Sequence, residues 1–341
     1  MTADSAGGGS RREKVSRRLR TIPAMIVGFL LTTALLPILL LGLGAYDLVR
    51  AAGGRGRFAA VRLVLFGWVY LLVEMIGITS MLVFWLVSGF GRRRDRYVAL
   101  TYGLQGWWAS ALLGAMRFLF RVGLEVEGDE VTVPGPMVLM MRHASLADTV
   151  LPSVLVLRRH GLRLRYVLKR ELLWDPALDL AGNVMPNYFL DRRSTDAAAE
   201  VEQVRRLGVG LGENDGVLIY PEGTRFTPEK RERALEILRR RFPHLVERAE
   251  ALRGVLAPRL AGVLALLEAG TDVVVCAHVG FDGFSHVKRL WQGGLVGMKI
   301  KVAFWRIPAC DIPAGEAART DWLFAQWRLV DDWVCSHLAP V

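Results

Sequence analysis

Two long stretches almost free of charge constrain this chain more than anything else in it. "IPAMIVGFLLTTALLPILLLGLGAY", Ile22 to Tyr46, has no charged residue, and "LVLFGWVYLLVEMIGITSMLVFWLVSGF", Leu63 to Phe90, has only Glu74. A bilayer core about 30 Å thick is crossed by about 20 apolar residues, so each stretch is long enough to span it. A secretory signal has a shorter apolar core followed by a small-residue cleavage site, which this chain does not display. The expectation is a membrane-embedded helical hairpin over residues 22–96, preceded by a basic, flexible N-terminus over residues 1–21. Helices lying within one leaflet are the alternative. No role is assigned to Glu74.

Charge follows the same division. The chain carries a formal +11 with a mean hydropathy of +0.30, high for a water-soluble globule. Residues 1–96 contain 14 Lys/Arg against 5 Asp/Glu, a surplus of nine, which leaves two for the other 245 residues. Nucleic-acid binding spreads basic residues along a surface that follows phosphates. Here they bracket the apolar stretches, as anionic headgroups and the positive-inside rule demand. The partner indicated is a lipid bilayer, not a nucleic acid, with both ends of the hairpin and the remaining chain on the cytoplasmic side. Cys276, Cys310 and Cys335 are odd in number and far apart, so they read as buried free thiols rather than a disulfide frame or zinc site.

Beyond residue 97 the pattern changes. "YVALTYGLQGWWASALLGAMRFLF" predicts an amphipathic helix with an interfacial Trp107–Trp108 pair. Short strand-like runs follow: "LEVEG", "MVLMM", "RYVLK", "NYFLD", "GVLIYPEG", "TDVVVCAHVG" and "MKIKVAFWRI". Between and after them come helical stretches, "DTVLPSVLVLRRH", "TDAAAEVEQVRRLGVGL", "EKRERALEILRRRF" and "RTDWLFAQWRLVDDWVCSHL". Strands alternating with helices predict an α/β fold, a partly parallel sheet flanked by helices.

Two short constellations carry chemistry. In "RHASLADT", His143 falls just past a predicted strand and Asp148 in the first turn after it. Five residues of ideal helix turn through about 500°, so one helix through both would part them; a bend before the helix lets the ring turn back. A carboxylate on one ring nitrogen sets the tautomer and makes the other more basic. Alone, the pair is equally an ordinary polar patch where a strand ends. In "GVLIYPEGTRF" a strand runs into Pro221, Glu222, Gly223, Thr224 and Arg225, a tight turn followed by a planar cation suited to phosphate. Lys169 and Arg192 also come at predicted strand ends. In parallel α/β sheets such ends converge on one site, and a base among cations suits a phosphorylated substrate that loses a proton.

Together these blocks resemble the glycerolipid acyltransferase superfamily, typified by 1-acyl-sn-glycerol-3-phosphate acyltransferases. "HASLAD" matches its first block, "KRELLWDP" with "FLDRR" its second and "PEGTR" its third, beside membrane-embedded N-terminal helices. The likeness covers roughly residues 100–310, and "VLAPRLAGV" also looks like a segment of some members. Arg142 stands where many members have Asn, which bears on acceptor preference, and the usual Val-Pro-Val block is replaced around "VVVCAHVG". The resemblance implies an acyltransferase domain over residues 97–341. It implies acyl transfer from an acyl thioester, acyl-CoA or acyl carrier protein, to a lysolipid hydroxyl, with 1-acyl-sn-glycerol 3-phosphate giving phosphatidic acid as the leading acceptor. His143 would be the general base and Asp148 its orienting partner. Arg225, Lys169 and Arg192 would hold the phosphate. Glu222 would hold Arg225 or touch the glycerol backbone, Gly223 would offer its amide to the oxyanion, and Thr224 and Ser145 would shape the site. No metal or cofactor is expected: the histidines at 160, 244, 278, 286 and 337 form no H-E-x-x-H set. Competing readings are another lysolipid or glycerol 3-phosphate as acceptor, a non-catalytic lipid-binding protein, and a metal hydrolase.

Overall fold

A computed structural model describes residues 9–54, 57–145, 147–191, 194, 196–282 and 290–338. Helix α1, Arg11–Ala52, opens with a capping box: the Ser10 hydroxyl accepts from the Glu13 amide and the Glu13 carboxylate accepts from the Ser10 amide. The basic stretch expected to be flexible is therefore helical from Arg11. It is also tied down, because Arg17 and Arg18 meet the fully buried Asp179 at 2.7 and 2.9 Å. Helix α2, Ala59–Val87, returns alongside α1, and the Asp47 carboxylate accepts from the Val61 amide, satisfying one of its unpaired first-turn donors. Both helices are long and apolar enough to cross a membrane. On α1, Leu30, Ile38 and Leu41 stay exposed, apolar surface that no other part of the described chain covers.

Helix α3, Arg94–Phe120, joins this hairpin to the α/β domain. Its Ala109, Leu113, Met116 and Phe120 enter the core on one face of the sheet. The seven strands are β1 (Gly123–Glu127), β2 (Met137–Met141), β3 (Arg163–Lys169), β4 (Tyr188–Leu190), β5 (Asp215–Ile219), β6 (Asp272–Val279) and β7 (Lys299–Ile307). They lie in the order β1-β7-β6-β2-β5-β3-β4. Every neighbouring pair is parallel except β6 with β7. All seven coincide with the strand-like runs of the sequence.

"MVLMM" is apolar throughout because β2 is buried on both sides. Met137, Leu139 and Met141 face the layer of α3, while Val138 and Met140 face the opposite layer. That second layer is built by the helix Ala197–Leu207, Val263, Leu266 and Leu267 of the segment Leu260–Leu267, and the C-terminal helix Glu316–His337 with its fully buried Trp327. The stretch after His143 departs from a regular helix. It is a 3-10 turn over Ala147–Val150 followed by a π-helical turn over Ser153–Arg158. Short helices at Pro176–Gly182 and Leu260–Leu267 are not among the helical stretches of the sequence reading. Of the cysteines, Cys276 is buried but Cys310 is exposed, against the expectation that all three are covered.

Candidate active site

The loop after β2 folds around Asp148. Its Oδ2 accepts from the amides of Ala144 and Ser145 at 2.7 and 2.8 Å, and its Oδ1 faces His143 Nδ1 at 3.1 Å. A carboxylate with no exposed surface needs such partners, and these orient it as well. With Nδ1 turned to Asp148, Nε2 is the ring nitrogen left to take a proton. Ser145 shapes this turn: its hydroxyl accepts from the Ala147 amide at 2.9 Å.

The turn after β5 locks onto the same loop. Glu222 Oε1 accepts from the His143 amide and Oε2 from the Leu256 amide, both at 2.9 Å. The Phe226 amide donates to the His143 carbonyl at 3.0 Å. Glu222 thus holds the backbone of the histidine, where the sequence suggested a bond to Arg225 or to glycerol. Burial pushes its carboxyl up to about 7, against the pull of Arg142 and the two amides. Gly223 also differs from expectation. Its amide donates to the Tyr220 carbonyl at 2.9 Å, closing the turn instead of pointing at an oxyanion. Its φ of +63° suits glycine, and a β-carbon there would lie 2.8 Å from Arg259 Nε.

His143 lines a cavity of about 730 Å³ that runs between the sheet edge and helices α2 and α3. Leu168, Leu172, Ala177, Met185 and Val201 line its apolar wall, and Gly77 of α2 and Trp108 of α3 reach it from the hairpin side. Lys169 lies on the wall as the sequence indicated. Arg225 and Thr224, half-buried, do not line it; Arg192 lies outside the described residues. The cationic side chains on the wall, among the described residues, are Lys169 and Arg259.

Comparison with known proteins gives these features a family. Residues 123–278 match the model of the Acyltransferase family. The chain is 25% identical over 242 residues to lysocardiolipin acyltransferase 1 of Danio rerio, a match covering 69% of this chain and 61% of that protein. It resembles the crystal structure of the 1-acyl-sn-glycerophosphate acyltransferase PlsC from Thermotoga maritima, with a TM-score of 0.52 and 14% identity over 82% of this chain and 99% of that one, a likeness of fold. Together these findings support the glycerolipid acyltransferase superfamily, with the family match over residues 123–278.

Two residues of this site escaped the sequence reading. Arg259, in "VLAPRLAGV", reaches the cavity because its amide donates to the Pro221 carbonyl at 2.8 Å, tying that segment to the turn after β5. His278, near the end of β6, is wholly buried with Nε2 at 2.9 Å from the Arg142 carbonyl and 3.6 Å from Asp148 Oδ2. Burial lowers its pKa and outweighs the pull of Asp148, so a neutral ring donates to that carbonyl. Arg142 is not a cavity residue. Its guanidinium is buried behind the loop, donating to the carbonyls of His278 and Gly254 and pairing with Asp282 at 2.5 Å. Arg142, where many members of the resembled family have Asn, therefore supports the loop beneath His143 and does not line the cavity.

Proposed function

We propose that this acyltransferase moves an acyl group from an acyl thioester to the hydroxyl of a phosphate-bearing lysolipid, first among them 1-acyl-sn-glycerol 3-phosphate. The observation that carries the reading is His143, paired with Asp148 at 3.1 Å, on the wall of a mainly apolar cavity that also presents Lys169 and Arg259. His143 Nε2 takes the proton as the alcohol attacks the thioester carbonyl. Asp148 holds the ring and stabilises its charged form, and the imidazolium then returns the proton to the departing thiolate. General-base assistance of this kind is worth about 10²–10⁴-fold. The apolar wall suits acyl chains. Lys169 and Arg259 bring positive charge to that wall, which suits a phosphate-bearing headgroup. Insertion of the hairpin in the bilayer, with the α/β domain on the cytoplasmic face, would spare both lipids extraction into water.

A second acceptor, a lysophospholipid with a phosphodiester headgroup, is favoured by the lysocardiolipin acyltransferase relative, of which the match spans 61%. Full-length protein in detergent, given oleoyl-CoA and a panel of lysolipids with products resolved by mass, tests both. Phosphate-bearing acceptors should be acylated, monoacylglycerol poorly, and His143→Ala should abolish every product. Retained activity in that variant sinks the base assignment; equal use of monoacylglycerol sinks the phosphate reading.

A further inference from the structure

Tyr220 follows β5 directly and its ring lies beside the base, centroid to centroid 4.6 Å from His143 at a tilt of 39°. The residue lines the cavity, yet its hydroxyl oxygen is buried and has no hydrogen-bond partner among the described residues. Nearby hydroxyls are satisfied: Ser153 and Tyr166 on the same wall bond each other at 3.0 Å. A stranded buried hydroxyl destabilises a fold, and phenylalanine would fill the same space without that cost. The group therefore needs a partner that the described residues do not supply.

The chemistry beside His143 supplies one. When the alcohol oxygen attacks, the thioester carbonyl oxygen gathers negative charge, and a fixed donor in a dry site stabilises that charge strongly. The Gly223 amide is not available in that role because it closes the turn on the Tyr220 carbonyl. Resting on the function proposed above, we infer that the Tyr220 hydroxyl is a catalytic donor to the carbonyl oxygen of the acyl thioester. Burial, reinforced by Asp148, raises its pKa well above the ordinary phenol value, so the group stays protonated and donates without ionising. The step balances without it. The alcohol's proton goes to His143 and the C–O bond forms as the carbonyl π pair moves to oxygen. That pair then returns, the C–S bond breaks, and the thiolate leaves with the proton from His143. Tyr220 keeps its own proton throughout and only shares it with the oxyanion.

Tyr220→Phe tests this in the full-length protein with oleoyl-CoA and 1-acyl-sn-glycerol 3-phosphate. The expected result is a kcat lowered by about 10²-fold, an unchanged KM for both substrates, and a Tm equal to or above wild type. A merely structural hydroxyl would lower Tm or leave kcat alone, and either result overturns the inference. A loss matched by a rise in acceptor KM moves the hydroxyl to the acceptor and also overturns it. Wild type inert toward every acceptor sinks the function reading and this inference with it; an active wild type matched by the variant sinks this inference alone.

Discussion

Glu222 shows how a single side chain couples stability to the site. Both carboxylate oxygens are committed to the amides of His143 and Leu256, far apart in the chain, and burial nonetheless raises its pKa to about 7. A carboxyl whose pKa is raised on folding binds a proton more tightly in the folded state. Its contribution is therefore full below the ordinary carboxylate range and is lost as pH rises through about 7. Tm should fall between about pH 5 and pH 8 in wild type relative to Glu222→Gln, which cannot titrate; parallel Tm profiles would refute the coupling. His143 and Asp148 were legible in the sequence because their contact is local, five residues apart around one bend. Arg259 and His278 were not, since a segment far along the chain and a separate strand bring them in.

At the scale of elements, the docking of α1 is the feature that composition could not reveal. Six basic residues precede Ile22, and the natural reading of such a run is solvated or lipid-facing charge. Two of them instead converge on Asp179 in the short helix Pro176–Gly182, which also contributes Ala177 to the cavity wall. Removing the shared carboxylate leaves two guanidinium groups without the anion they converge on. Breaking a buried pair in this way costs about 3–5 kcal/mol, less here because Arg18 is partly exposed. Asp179→Asn should lower Tm and speed tryptic cleavage within residues 11–20. Unchanged cleavage would show that the capping box alone holds this segment. The strands were all visible as short strand-like runs, most plainly β2 and β6, where burial on both faces forces an apolar composition. The π-helical turn at Ser153–Arg158 was not, because apolar content alone does not separate it from an α-helix.

At the scale of the whole molecule, the hairpin packs onto the α/β domain and reaches the cavity that His143 lines. Val73, Glu74, Gly77 and Met81 of α2 are buried, Trp108 of α3 donates to Glu74 at 2.9 Å, and the Tyr70 hydroxyl donates to Asp175 at 2.7 Å. A fragment beginning at residue 91 should be insoluble or inactive toward lysolipid in detergent; a soluble fragment with full activity would contradict this coupling. The sequence by itself determined the apolar helices, the seven strands and the two polar loops, because each follows from local composition and spacing. Only the tertiary structure decided which groups share the cavity. It turned the Gly223 amide inward, carried Arg142 beneath the loop, left Arg225 off the wall and set Tyr220 against His143. Those outcomes depend on which distant segments satisfy each buried donor and acceptor, and that pairing is settled only when the whole chain packs.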